Sequence, residues 1–213
     1  MMRIPITGRR GDLWLRLVSA WLAAVVPLAL PEHAGAQAVT EWGIERGDSA
    51  APVWVIEFAD FGCPACAGFA TESFPAVDRE FIQTGKVHWR FVPFVLGPFR
   101  HSKWAAAAAL CAAEQNAFWK MHDRLFEEQS RWSKARDPKA VLSGIALELR
   151  LDSLRFAGCL DSKAIAGKVS HFNRLARRLL VRATPTFFVN QQRVKGALPL
   201  ETFRRVLMEA ANP

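Results

Sequence analysis

Long apolar stretches are scarce in this chain. The longest, Leu17–Leu30, holds 14 residues, short of the roughly 20 that a membrane-crossing helix needs. Internal repeats are absent, which excludes solenoid and propeller folds. Low-complexity sequence is limited to the alanine run Ala105–Ala109, a strong helix former. Histidines at metal-ligand spacing are missing too. His88, His101, His122 and His171 stand apart from one another, and each reads as an ordinary core or surface residue. There are only four cysteines, Cys63, Cys66, Cys111 and Cys159, and just one pair is closely spaced. A four-cysteine zinc site therefore fits poorly.

Acids are outnumbered. The 28 Lys and Arg exceed the 20 Asp and Glu, giving a formal net charge of +8. Residues 1–38 hold Arg3, Arg9, Arg10 and Arg16 against Asp12 and Glu32, so the remainder carries 24 bases and 18 acids, near +6. The bases are dispersed, which argues against a nucleic-acid partner. Their densest cluster, Arg174, Arg177, Arg178 and Arg182, reads as a solvated helix face, with a specific anionic partner as the alternative. About half of the chain is hydrophobic (51%), enough to exclude disorder and to build one domain with a core.

The N-terminal basic residues, the apolar Leu17–Leu30 and the small-residue sites Ala34-Gly35-Ala36 and Ala36-Gln37-Ala38 together read as a secretory signal, residues 1–38. The Arg9-Arg10 pair invites a twin-arginine reading, but the residues after it favour the general export route. An uncleaved anchor is the alternative. Export, with a periplasmic or other extracytoplasmic destination and no stable membrane span after cleavage, changes how four cysteines are read: an even number suggests two disulfides, at least one of them exchangeable.

The hydrophobic run Val53–Ala59 reads as a buried strand. Phe61-Gly62 breaks it, and a helix is expected from Pro64 to about Thr84 with a kink at Pro75. Cys63 and Cys66 thus fall in a C-x-x-C whose first cysteine sits between a strand end and a helix N-terminus. There a thiol is exposed and pushed toward thiolate. Residues 39–52 read as a lead-in loop with one short edge strand near Val39–Trp42. Val87–Phe94 is a second strand. Residues 101 to about 150 read as helical throughout, with another helix started by an Asp137 N-cap and Pro138, followed by a short helix from Asp152 and a long basic one over Asp161–Arg182. Thr186–Asn190 and Arg193–Lys195 form a hairpin, and Pro199 to about Ala211 a closing helix. The order β-α-β, several helices, β-β-α places the chain in the α/β class as a thioredoxin fold around one mixed sheet. Its two parts, 39–100 and 171–213, flank an all-helical insertion at 101–170.

Three features carry a family resemblance: Phe58-Ala59-Asp60-Phe61-Gly62-Cys63-Pro64-Ala65-Cys66, the later Ala183-Thr184-Pro185-Thr186-Phe187-Phe188-Val189-Asn190, and the helical insertion with its own cysteines. Over roughly residues 40–211 the chain resembles the DsbA-like branch of the thioredoxin superfamily, exported thiol–disulfide oxidoreductases. The resemblance implies Cys63 as nucleophile and Cys66 as buried resolving thiol. It implies a cis Thr184–Pro185 bond facing the cysteines as a substrate loop, and Glu57, set between apolar neighbours, as a buried proton relay behind Cys66, where an exposed strand-edge residue is the alternative. It also implies a structural Cys111–Cys159 disulfide, where two buried free thiols are the alternative. No cofactor or metal is required, since the electrons reside in the cysteines. The expected partners are unfolded, cysteine-containing exported proteins and a redox protein that resets the pair. Oxidation of clients is the expected direction, although Ala65 stands where the oxidase pattern has histidine. A reductase or isomerase with the same residues, a copper- or zinc-binding protein using the C-x-x-C, and a peptide-binding chaperone with structural cysteines are the rival readings. Phe61 and Phe99 are candidates for an apolar substrate groove.

Overall fold

The structure, a computed structural model, describes residues 39–212, so the expected signal segment lies outside the described residues. Six strands form one sheet: β1 (Val39–Thr40), β2 (Gly43–Arg46), β3 (Val53–Ala59), β4 (Val87–Pro93), β5 (Thr186–Val189) and β6 (Gln192–Lys195), in the order β1-β2-β4-β3-β5-β6. β3 is central. It pairs in parallel with β4, with Ala59 opposite Pro93, and antiparallel with β5, with Phe58 opposite Thr186. The strand is mostly apolar, and Val53, Val55, Phe58 and Ala59 are all fully buried, which fits a strand covered on both faces.

The N-terminal segment departs from expectation. Residues 39–46 form a hairpin rather than a loop with a single edge strand, and β2 pairs antiparallel with β4, Ile44 opposite Phe91. Gly43 makes this possible. Its φ is +132°, and a Cβ there would lie 2.6 Å from the Phe91 carbonyl oxygen. A glycine that looks like loop punctuation in the sequence is here the residue that lets two strands meet.

Helical backbone runs from Pro64 to Ile82, but not as one regular helix. α1 (Pro64–Gly68) and α2 (Phe74–Val77) are separated by a π-helical turn at Phe69–Ser73, and a second follows at Asp78–Ile82. Pro75 has no N–H to give the carbonyl four residues back. The ladder widens just before it, the Phe74 N–H bonding to the Phe69 carbonyl. The expected kink is thus taken up as an inserted residue.

Between β4 and β5 come six helices: α3 (Ser102–Ala113), α4 (Phe118–Glu127), α5 (Gln129–Ser133), α6 (Pro138–Glu148), α7 (Ser153–Leu160) and α8 (Lys163–Arg178). Asp137, Asp152 and Ser162 cap the last three, each side chain accepting a backbone N–H. The region is not continuously helical from residue 101. His101 and Asn116 adopt left-handed backbone at the breaks, and Leu180 does so after α8, which ends at Arg178 rather than Arg182. α9 (Leu200–Ala211) returns to the sheet, where Phe203 packs its ring against Phe69 and Phe187.

A disulfide joins Cys111 on α3 to Cys159 on α7, across a sequence separation of 48 residues. Closing a loop of that length restricts the unfolded chain by an amount equivalent to ~4 kcal/mol in the entropic account. The double substitution Cys111→Ala/Cys159→Ala is expected to lower unfolding stability by ~2–4 kcal/mol, read by urea denaturation, while the remaining two cysteines still titrate as thiols after reduction. An unchanged urea midpoint would show that this bridge carries no stability.

Candidate active site

β3 ends at Ala59, and the chain turns through Asp60-Phe61-Gly62 into α1. Cys63 is the N-cap of that helix, with extended backbone, and its N–H closes the turn on the Asp60 carbonyl at 2.9 Å. Cys66 follows one turn later, and both cysteines are free. Pro64 and Ala65 between them are exposed, whereas Cys63 is only 4% exposed and Cys66 fully buried. The expectation of an exposed first cysteine is therefore corrected. The Cys63 Sγ donates to the Thr184 carbonyl at 3.4 Å, so the loop before β5 lies against the sulfur. That loop carries the cis Thr184–Pro185 bond. Gly196 N–H anchors the Pro185 carbonyl at 2.8 Å, and the Thr186 hydroxyl bonds to the Ala183 carbonyl at 2.7 Å.

The electrostatics separate the two thiols. The Cys66 thiol donates to the Cys63 sulfur and is the largest influence lowering Cys63, whose pKa falls to about 6 against the opposing effect of burial. The Thr184 side chain and the backbone N–H groups of Cys66 and Ala65 lower it further. The Thr184 hydroxyl is buried beside this sulfur with no other partner. Cys66 moves the other way: burial, then its bond to Cys63, pushes its thiol far up. Glu57 is 2% exposed on β3 and accepts a hydrogen bond from the Trp89 indole N–H at 3.2 Å. Burial raises its pKa to about 8, and its charge is close enough to be felt at Cys66.

Two further residues shape the loop, and neither was singled out from the sequence. Asp60 is 1% exposed, and its carboxylate accepts the N–H groups of Gly62 at 2.8 Å and Leu96 at 2.7 Å, with the Ser102 hydroxyl facing it. Burial still raises its pKa. Gly62 is obligatory beneath this network, since a Cβ would lie 2.3 Å from the Ser102 Oγ. From the helical block, the Gln129 Nε2 at the start of α5 donates to the carbonyls of Phe61 at 2.7 Å and Cys63 at 3.0 Å. The loop is thus held on its amides by a carboxylate and on its carbonyls by an amide. Asp60 was legible as an acid just before the C-x-x-C. Gln129, 66 residues from Cys63, carried no local signal.

The remaining candidates are distributed elsewhere. Phe61 is not a groove residue: it is 1% exposed and packs its ring against Phe91 and Phe126. Phe99 is half-buried beside Gly62. Cys111 and Cys159 are joined to each other. Among the described residues, no three His, Cys, Asp or Glu side chains gather closely enough to hold a metal ion.

Comparison with known proteins places this geometry in context. A family model described as thioredoxin matches residues 40–209. A Na(+)/H(+) antiporter NhaA 3 of Salinispora tropica is 37% identical over 168 residues, 78% of this chain but 24% of that protein, so the chain spans about a quarter of this relative's length. Disulfide bond formation protein D of Bacillus subtilis is 30% identical over 158 residues, 70% of this chain and 68% of that protein. The crystal structure of Wolbachia pipientis alpha-DsbA1 superposes with a TM-score of 0.71 at 26% identity, covering 78% of this chain and 89% of that one.

Glu57 yields a signed test. The fold holds its carboxyl neutral up to about pH 8, whereas the unfolded chain ionises it above its ordinary value of 4.5. Its burial therefore costs stability progressively as pH rises from 4.5 to about 8, and by a constant amount beyond. Glu57→Gln should be more stable than the parent, the gain growing across that window to ~5 kcal/mol at most. Urea unfolding at pH 5 and pH 8 measures it, and a gain independent of pH would contradict this assignment.

Proposed function

We propose that this chain, which belongs to the thioredoxin family and within it to the DsbA-like thiol–disulfide oxidoreductases, exchanges disulfides with exported proteins through Cys63 and Cys66, acting mainly as an oxidant of client dithiols. The observation that carries this reading is the Cys63 sulfur, lowered to about pKa 6 and lying against the cis-proline loop.

In the oxidised form a disulfide joins Cys63 and Cys66. A client thiolate attacks the Cys63 sulfur, a mixed disulfide forms, and Cys66 leaves. The buried Cys66 thiolate is costly, so it takes a proton, and Glu57, neutral up to about pH 8, is the adjacent donor. A second client thiolate then attacks the client sulfur of the mixed disulfide and expels Cys63 as thiolate. The client loses two electrons and two protons, and the pair gains two electrons. A redox partner removes them to complete the cycle, and no cofactor is needed. Thr184 and Pro185 offer the client a backbone edge for strand-like pairing beside the sulfur. Residues 1–38 are the expected export signal. No helix among the described residues is long and apolar enough to cross a membrane.

Magnitudes bear on the direction. Against an ordinary thiol near 9, a pKa of about 6 stabilises the reduced form at pH 7 by ~1.4 kcal/mol, which is ~30 mV for a two-electron couple. That places Cys63 between thioredoxin, with a pKa of about 7, and the strongest oxidants of the fold, near 3.5. Ala65 has no charge with which to lower it further, and this favours a reductase or isomerase as the second reading.

Three measurements decide. The alkylation rate of the reduced protein should rise with pH around a midpoint near 6, and Cys63→Ser should abolish that phase. The reduction potential should lie between about −270 and −120 mV, the values of thioredoxin and DsbA. A value at or below the lower end transfers the assignment to the reductase reading. Cys66→Ala should accumulate mixed disulfides with clients in the exported compartment. Their complete absence, with full activity in Cys63→Ser, would remove the redox reading altogether.

A further inference from the structure

Two arginines of the cluster, Arg174 and Arg178 on α8, are exposed and line a cleft. The His171 ring bonds through Nε2 to the Glu41 carbonyl at 2.7 Å, and this ties α8 to the β1–β2 turn. Between them lies a cleft of about 230 Å³ lined by Glu41, Trp42, His171, Arg174, Leu175 and Arg178. Trp42 is 48% exposed, although indoles are usually buried. Neither Arg174 nor Arg178 has an ion pair or a hydrogen-bond partner among the described residues. Glu41 is the single acid of the lining.

The topology sets which end of the sheet this cleft occupies. β2 enters the sheet opposite Phe91, and β4 and β3 run in parallel with Pro93 opposite Ala59. The β1–β2 turn therefore lies at the same end of the sheet as Ala59 and, beyond it, Cys63. α8 reaches that end too, the Asn173 side chain accepting the Val95 N–H at 2.9 Å just past β4. At 4.7–4.9 Å per strand, β2 is about 10 Å from β3, and the turn roughly 15 Å from the redox pair. An extended polypeptide covers that in about five residues.

We propose that this cleft is a subsite for acidic client segments: carboxylates about five residues from the client cysteine pair with Arg174 and Arg178, beside Trp42, while that cysteine engages Cys63. The inference rests on the redox reading and names the client class it favours. Charge complementarity selects the occupant. Two unpaired guanidinium groups present planar forks suited to carboxylates, and the chain beyond residue 38 is near +6. A client rich in carboxylates also meets this charge over longer range, which raises its encounter rate at low salt.

The test uses two cysteine-pair peptides identical except for the residues about five positions from the first cysteine, Asp-Glu in one and Asn-Gln in the other. Oxidation by the disulfide form of the protein is followed at low and high salt, with dithiothreitol as a client that has no flanking sequence. The parent should oxidise the acidic peptide about fivefold to tenfold faster at low salt, and the advantage should shrink as salt rises. Arg174→Glu/Arg178→Glu should abolish or invert the preference with the dithiothreitol rate unchanged, and Arg174→Lys/Arg178→Lys should retain part of it. Equal rates with both peptides in the parent, or an undiminished preference in the Glu variant, overturn the inference. So does loss of peptide preference combined with Arg-dependent binding to phosphatidylglycerol vesicles, which would make the cleft a lipid contact. Failure to oxidise dithiothreitol is a different result and removes the redox reading beneath it.

Discussion

The contact between the Cys63 sulfur and the Thr184 carbonyl joins residues 121 positions apart. It requires that β3 and β5 be neighbours, in the register that sets Phe58 opposite Thr186. The loop that brings the Thr184 carbonyl there carries the cis Thr184–Pro185 bond. The contact also requires Asp60 and Gln129, which fix the loop that presents the sulfur. The six helices between β4 and β5 reach the site through Gln129 on the loop carbonyls, Ser102 facing Asp60 and the Phe126 ring against Phe61, within one core shared with the sheet.

Four ionisable groups sit in and around this contact, and burial acts on all of them. For Glu57, Asp60 and Cys66 it wins, and each is driven toward its neutral form. For Cys63 it loses. Donors converge on that sulfur from the Cys66 thiol, the Thr184 side chain and two backbone amides. The outcome is a single place in a dry neighbourhood where negative charge is favoured. Low dielectric strengthens hydrogen bonds to an anion wherever enough of them are supplied.

Much of this was legible in the sequence because it is local. Val53–Ala59 declares a buried strand by composition, Pro64 a helix start, Asp137 and Asp152 two caps, and Cys63 and Cys66 a closely spaced pair at that helix start. Glu57 stood out as an acid between apolar neighbours. What was not legible depended on distant partners or on backbone angles. The β1–β2 hairpin hinges on a positive φ at Gly43 and on pairing with β4, Ile44 opposite Phe91, and neither leaves a trace in residues 39–52. The π turn at Phe69–Ser73 follows from how one ladder accommodates Pro75. Cys63 looked exposed because a helix start usually is; its burial comes from a loop that closes over it only in three dimensions. Gln129 belongs to the same class, an unremarkable polar residue until the fold aims it at two carbonyls.

The exposure of Pro64 and Ala65 between two concealed cysteines has a consequence for how such a protein can be retuned. The spacer residues are the exposed ones of this turn, so a side chain exchanged at Ala65 alters the local field with little disturbance of the packed scaffold. Gly62, one step before the first sulfur, has no such latitude, because any added carbon collides with Ser102. The charge around the first sulfur can drift here one residue at a time, while the architecture that displays it stays fixed.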